Sequence, residues 1–208
     1  MMHAPAANPP APPRTTSAGD TLRVFFAIWP DAAARDALAT LASRVAAEAG
    51  GRAPAIANLH LTLAFVGEVA AERVEALVAA GLAATAGVPA FELSLDRVGA
   101  FRGSGIAWAG ASNMPAELAQ LVGQLNDALT AQGFPTDPRP FQAHVTLARR
   151  CRRQPRANRA IPIAWTVAAT ACGSSTRSWP SVRTTKPRCA WQPTSITART
   201  SCRRPPRS

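Results

Sequence analysis

His60-Leu61-Thr62-Leu63 and His144-Val145-Thr146-Leu147 are two copies of one pattern: a histidine, an aliphatic residue, a threonine and a leucine. The alternation is that of a half-buried strand, whose successive side chains point to opposite faces. His60 and Thr62 then share one face, and Leu61 and Leu63 the other. His144 and Thr146 divide from Val145 and Leu147 in the same way. A lone histidine on a strand is most often a satisfied polar residue. The same context met twice argues for a paired site.

Working outward, each tetrad follows a helical segment. Leu22 to Ile28 is a β-rich run stopped by Pro30, and Asp31 can cap a helix with Leu38, Leu41, Val45 and Ala49 on one stripe, closed by Gly50-Gly51. The first tetrad strand spans 58–66 and ends at Gly67. A second helix carries Val74, Leu77, Val78 and Leu82. Residues 91–98 (FELSLDRV) alternate as one strand, and 105–109 (GIAWA) as another. Pro115 opens a third helix with Leu118, Leu121, Val122, Leu125 and Leu129, stopped at Gly133. The second tetrad strand covers about 142–149. The order β-α-β-α-β-β-α-β predicts an α+β protein whose helices cover one face of each sheet. Two halves that each end in a helix and a His-x-Thr strand predict a pseudo-twofold pair of lobes with the tetrads together.

Charge divides the chain at the same place. Of 23 Lys and Arg and 12 Asp and Glu, 13 cations and no carboxylate fall from Arg150 to Ser208. The first 149 residues therefore carry 10 cations against 12 carboxylates, about −2 net. The overall +11 describes the C-terminal part and is no argument that the domain itself binds nucleic acid. The four cysteines, Cys151, Cys172, Cys189 and Cys202, also lie beyond Arg149 and lack paired metal-ligand spacing. Residues 1–20 read as a disordered Pro/Ala-rich leader with no apolar run, so neither a signal peptide nor a membrane span is expected. A reduced, cytoplasmic monomer is the expectation. The folded domain is placed at 21–167, with Ile161 to Val167 its last apolar segment. Residues 168–208 read either as a basic arm for RNA or as an out-of-frame sequence that does not fold. The joint loss of carboxylates and periodicity favours the second.

Two imidazoles with reference pKa values of about 6.5 can exchange roles near neutrality, one taking a proton while the other gives one. In-line displacement at phosphorus needs both: a base for the nucleophile and an acid for the departing oxygen. Threonine hydroxyls on the same face can donate to the non-bridging oxygens. No carboxylate cluster or cysteine set accompanies the histidines, and two His with two Thr make a poor zinc site, so neither metal nor cofactor is expected. The residues alone leave open which histidine is the acid.

Three stretches carry a family resemblance: Arg23-Val24-Phe25-Phe26-Ala27-Ile28, Asn58 to Glu68 (NLHLTLAFVGE) and Phe141 to Arg149 (FQAHVTLAR). They resemble the 2H phosphoesterase superfamily, and within it the bacterial RNA 2′,3′-cyclic phosphodiesterases, also called 2′-5′ RNA ligase-like. The resemblance covers about 22–167. It implies a bilobal fold with both motifs facing a central cleft, and metal-independent hydrolysis of an RNA terminal 2′,3′-cyclic phosphate to a 2′-phosphomonoester. It makes His60 the proton donor, His144 the proton acceptor, and Thr62 and Thr146 the phosphate ligands. Arg149 is a further phosphate candidate, and Phe25 either packs in the core or stacks on a base. Ala143 stands where the resemblance leads one to expect proline. Two other readings are a phosphodiesterase for small cyclic nucleotides and a non-catalytic nucleotide- or RNA-binding module. Against the module, binding alone needs no pair of proton-transfer groups.

Overall fold

The computed structural model describes residues 21–155 and 162–168, and the backbone of 197–201. The leader at 1–20 lies outside these residues, as does most of 168–208. The chain order is β1 (Thr21–Ile28), α1 (Ala32–Ala49), β2 (Leu61–Ala70), α2 (Val74–Ala84), β3 (Phe91–Leu95), β4 (Arg97–Phe101), β5 (Ile106–Gly110), α3 (Ala116–Ala131), β6 (His144–Ala148), β7 (Ile163–Val167) and β8 (Thr197–Ser201). Six strands form one antiparallel sheet in the order β4-β5-β6-β2-β1-β8, and β3 pairs with β7 in a second, two-stranded sheet. The α+β class with helix-covered antiparallel sheets is as the alternation predicts.

The large sheet is made of two halves joined at one residue pair. β2 meets β6 with Leu61 opposite Val145, both fully buried. On one side lie β8-β1-β2, on the other β6-β5-β4. The cleft opens where the two tetrad strands meet. The helices cross this joint: α1, from the first half, packs on β6 and β7, while α3, from the second, packs on β2 and α2. Each half thus supplies the apolar cover of the other.

Helix α1 forms where expected. The Asp31 carboxylate accepts from the Ala34 amide at 2.8 Å, and Gly50 closes the last turn at φ 64°. Leu38, Leu41, Val45 and Ala49 are buried on its stripe. Helix α3 buries all five residues assigned to its inner face. Helix α2 differs. Leu82, expected inside, is 52% exposed, and the buried face is Leu77, Ala80, Gly81 and Ala84. Small residues win because α2 lies against Phe26; a methyl group added at Gly81 would come within 2.6 Å of that ring.

Two strand boundaries also differ. Residues 56–58 form a short 3-10 turn, so β2 begins after His60 and not at Asn58. Nor does Gly67 end the strand. β2 runs on to Ala70, and Gly67 takes φ 93° beside a bulge opposite Val24 and Phe25. The stretch 91–98, expected as one strand, breaks at Asp96 into β3 and β4, which belong to different sheets. The Asp96 carboxylate accepts from the amide of Ser112 at 2.8 Å and from its hydroxyl. A polar anchor at this point turns the chain from one sheet to the other.

The Ser112 hydroxyl holds the Asp96 carboxyl below its ordinary value of 3.8. A lowered folded-state value means the ionised side chain stabilises the fold above pH 3.8, and this is lost as pH falls through the lowered value. Ser112→Ala is therefore expected to move the Asp96 titration, followed by NMR, back toward 3.8. It should also lower stability at neutral pH, where the ionised carboxylate contributes, and leave stability unchanged at a pH below the lowered value, where that contribution is already lost.

Candidate active site

The two tetrads come together as the repeat predicts. His60, Thr62, His144 and Thr146 line one cavity of about 570 Å³, with Phe25, Asn58, Arg52, Arg149 and Arg150 around them. All four tetrad side chains are half-buried, while Leu61, Leu63, Val145 and Leu147 are buried on the opposite face. The antiparallel pair Leu61 and Val145 sets the two His-x-Thr segments side by side at the joint.

The local geometry of the histidines is duplicated too. Nδ1 of His60 lies 2.7 Å from the carbonyl of Asn58, and Nδ1 of His144 lies 2.8 Å from the carbonyl of Gln142. A carbonyl oxygen only accepts, so Nδ1 carries the hydrogen and donates it in both cases. That fixes the tautomer and ring orientation and makes Nε2 the nitrogen at which a proton is taken or given. The anchors are main-chain atoms two residues before each histidine, so side-chain identity gave no signal of them.

The aromatic surroundings of the two rings differ. His60 stacks on Phe25 at 5.0 Å between centroids and 29° between planes, with Trp29 at 5.5 Å. His144 meets Phe101 at 5.1 Å in a perpendicular arrangement. Phe25 is thus a wall of the cavity and not a core residue; the core position belongs to its neighbour Phe26. Trp29 and Phe101 were not singled out in the sequence.

Arg149 stands at the cavity, as anticipated, and brings two arginines that the sequence did not mark. Arg52 and Arg149 form an isolated antiparallel bridge, Arg52 N–H to Arg149 O at 2.8 Å and Arg149 N–H to Arg52 O at 2.9 Å. Gly51 permits this approach: an added methyl group would sit 2.9 Å from the Arg149 carbonyl and 2.8 Å from Cys151 Sγ. Arg150 follows at φ 56°, a left-handed conformation that costs a non-glycine residue roughly 1–2 kcal/mol. Among the described residues, no cluster of three or more His, Cys, Asp or Glu is placed to hold a metal ion.

Comparison with known proteins extends this reading. A family model described as LigT like Phosphoesterase matches residues 28–108 and 110–181. The chain belongs to that family, the LigT-like branch of the 2H phosphoesterases. It is 39% identical over 127 residues to an RNA 2′,3′-cyclic phosphodiesterase of Escherichia coli K12, covering 61% of this chain and 71% of that one. A protein of the same name from Archaeoglobus fulgidus is 31% identical over 137 residues, covering 64% and 76%. Among solved structures, E. coli LigT complexed with 3′-AMP superposes with a TM-score of 0.60 at 33% identity, covering 71% of this chain and 84% of that one.

Proposed function

We propose that this LigT-like chain hydrolyses the terminal 2′,3′-cyclic phosphate of RNA to a 2′-phosphomonoester, without metal. The observation that carries the reading is the duplicated imidazole geometry: two Nδ1-anchored histidines and two threonines around one cavity. The names of the relatives point to the same substrate class. In the reaction, His144 Nε2 takes a proton from water as its oxygen attacks phosphorus. The P–O3′ bond breaks opposite, and His60 Nε2–H delivers its proton to the departing O3′. The products are a 3′-hydroxyl and a 2′-phosphate. Thr62 and Thr146 donate to the non-bridging oxygens, where charge gathers in the transition state. Arg149 adds a cation for the same group.

The stack of His60 on Phe25, with Trp29 beside it, supports the donor role, because aromatic faces attract a cation. The domain assignment at 21–167, with β8 joining its sheet from farther along the chain, and a cytoplasmic monomer belong to the same proposal. No helix among the described residues is long and apolar enough to cross a membrane.

The test is product analysis. An oligoribonucleotide ending in a 2′,3′-cyclic phosphate, incubated with EDTA in ¹⁸O-water, should yield a 2′-phosphate carrying one ¹⁸O. A 3′-phosphate product would reverse the geometry, and turnover only with added metal would sink the mechanism. The dependence of kcat/KM on pH should be bell-shaped, since one imidazole must hold its proton while the other lacks it.

A further inference from the structure

The rim of the cavity carries more positive charge than the reaction uses. A cyclic phosphodiester has one negative charge, and two hydroxyls with Arg149 already answer it. Arg52 and Arg150 line the same cavity as well. Residues directly opposite on an antiparallel bridge project to the same side, so Arg52 and Arg149 emerge together, and like charges so placed are destabilising. Among the described residues none of the three meets a carboxylate: the ion pair found there joins Arg139 to Asp137. This concentration of cations stands on a domain whose first 149 residues are slightly acidic overall.

The backbone points the same way. Arg150 is the one non-glycine residue among those described with a positive φ. It is held there from both sides, by Arg149 N–H to Arg52 O at 2.9 Å before it and Cys151 N–H to Gly105 O at 2.9 Å after it. Glycine or asparagine would occupy that conformation with less strain. An arginine kept in a strained position, next to two others without counter-ions, is an arrangement that an anion would relieve.

We propose that Arg52 and Arg150, flanking Arg149, form a second-phosphate subsite that holds a phosphate of the substrate other than the one being opened. The proposal rests on the cyclic phosphodiesterase reading and sharpens its substrate class: molecules bearing a further phosphate are preferred over a bare nucleoside 2′,3′-cyclic phosphate. The shared chemistry is a phosphate oxyanion within reach of a guanidinium fork. It could come from the 5′-ward phosphodiester of an RNA or from a 5′-phosphate on a mononucleotide.

Steady-state kinetics on three substrates tests this: a nucleoside 2′,3′-cyclic phosphate, the same molecule with a 5′-phosphate, and a dinucleotide ending in a 2′,3′-cyclic phosphate. The native protein should show a lower KM for at least one phosphate-bearing substrate than for the bare one, and which of the two gains more identifies the source. Arg52→Gln and Arg150→Gln should each raise the ratio of phosphate-bearing to bare KM roughly tenfold, the scale of a charge-assisted hydrogen bond. The bridge is main-chain, so these changes leave it in place. Arg150→Gly should raise that ratio equally while the melting temperature stays level or rises, since glycine removes the strain. The KM of the native protein should also climb more steeply with salt than that of either variant. Equal KM shifts on all three substrates, or none on any, would overturn the subsite while leaving the phosphodiesterase reading intact. Failure of the native protein to open any of the three would overturn that reading itself, and the subsite with it.

Discussion

His60→Ala and His144→Ala should each lower kcat on an RNA 2′,3′-cyclic phosphate by roughly 10²–10⁴-fold, the range of a single general acid or base. Both rings are half-buried and hydrogen-bonded to a carbonyl two residues away, so neither change removes a core contact, and thermal stability should stay close to that of the native protein. The double variant should be little worse than the poorer single one, because the two groups act in one concerted transfer. Thr62→Val and Thr146→Val, which keep shape and remove the hydroxyl, should cost on the order of 10²-fold, as for other donors to a developing oxyanion. Turnover that survives either histidine change at near-native rate would remove that histidine from the mechanism.

Leu61→Ala should be among the most damaging changes to the fold, costing roughly 2–5 kcal/mol as buried leucines generally do. Leu61 is fully buried and forms, with Val145, the residue pair that joins the two halves of the sheet. Its consequence should not stop at stability. His60 and Thr62 are its immediate neighbours, so slack at the joint separates the tetrads. Leu125→Ala, in α3 at 1% exposure, should cost a similar amount of stability and leave kcat near native. Denaturant midpoints at constant m, set beside kcat below the unfolding transition, distinguish the two. Equal kcat values for both variants would mean that the joint does not position the site.

Where local chemistry alone decides, the sequence was legible. Asp31, Gly50 and the apolar stripe of α1 behave as capping and periodicity require, and α3 buries each of its assigned leucines. The tetrads were legible for a stronger reason, since one pattern occurring twice carries more information than either copy. What escaped depends on neighbours distant in the chain. Leu82 follows helical spacing yet is exposed, the buried face of α2 turning instead on Gly81, which meets Phe26 too closely to carry a side chain. The break at Asp96 depends on Ser112, sixteen residues on. Arg52 is unremarkable in sequence and becomes part of the site only through its bridge to Arg149. The Nδ1 anchors are backbone atoms and leave no trace in residue identity at all.

The crossing of helices over the joint has a consequence for synthesis. α1 ends at Ala49, but β6, on which it packs, is complete only at Ala148. At roughly 5–20 residues per second, a ribosome takes about 5–20 s to cover that interval. Throughout it, Leu38, Leu41 and Val45 have no partner strand to cover them. The nascent N-terminal half should therefore be a chaperone client and should stay protease-sensitive until the second tetrad emerges. Arrested chains exposing the sequence to before 144, through 148 and through 167 would show protection of α1 rising first with β6 and again with β7.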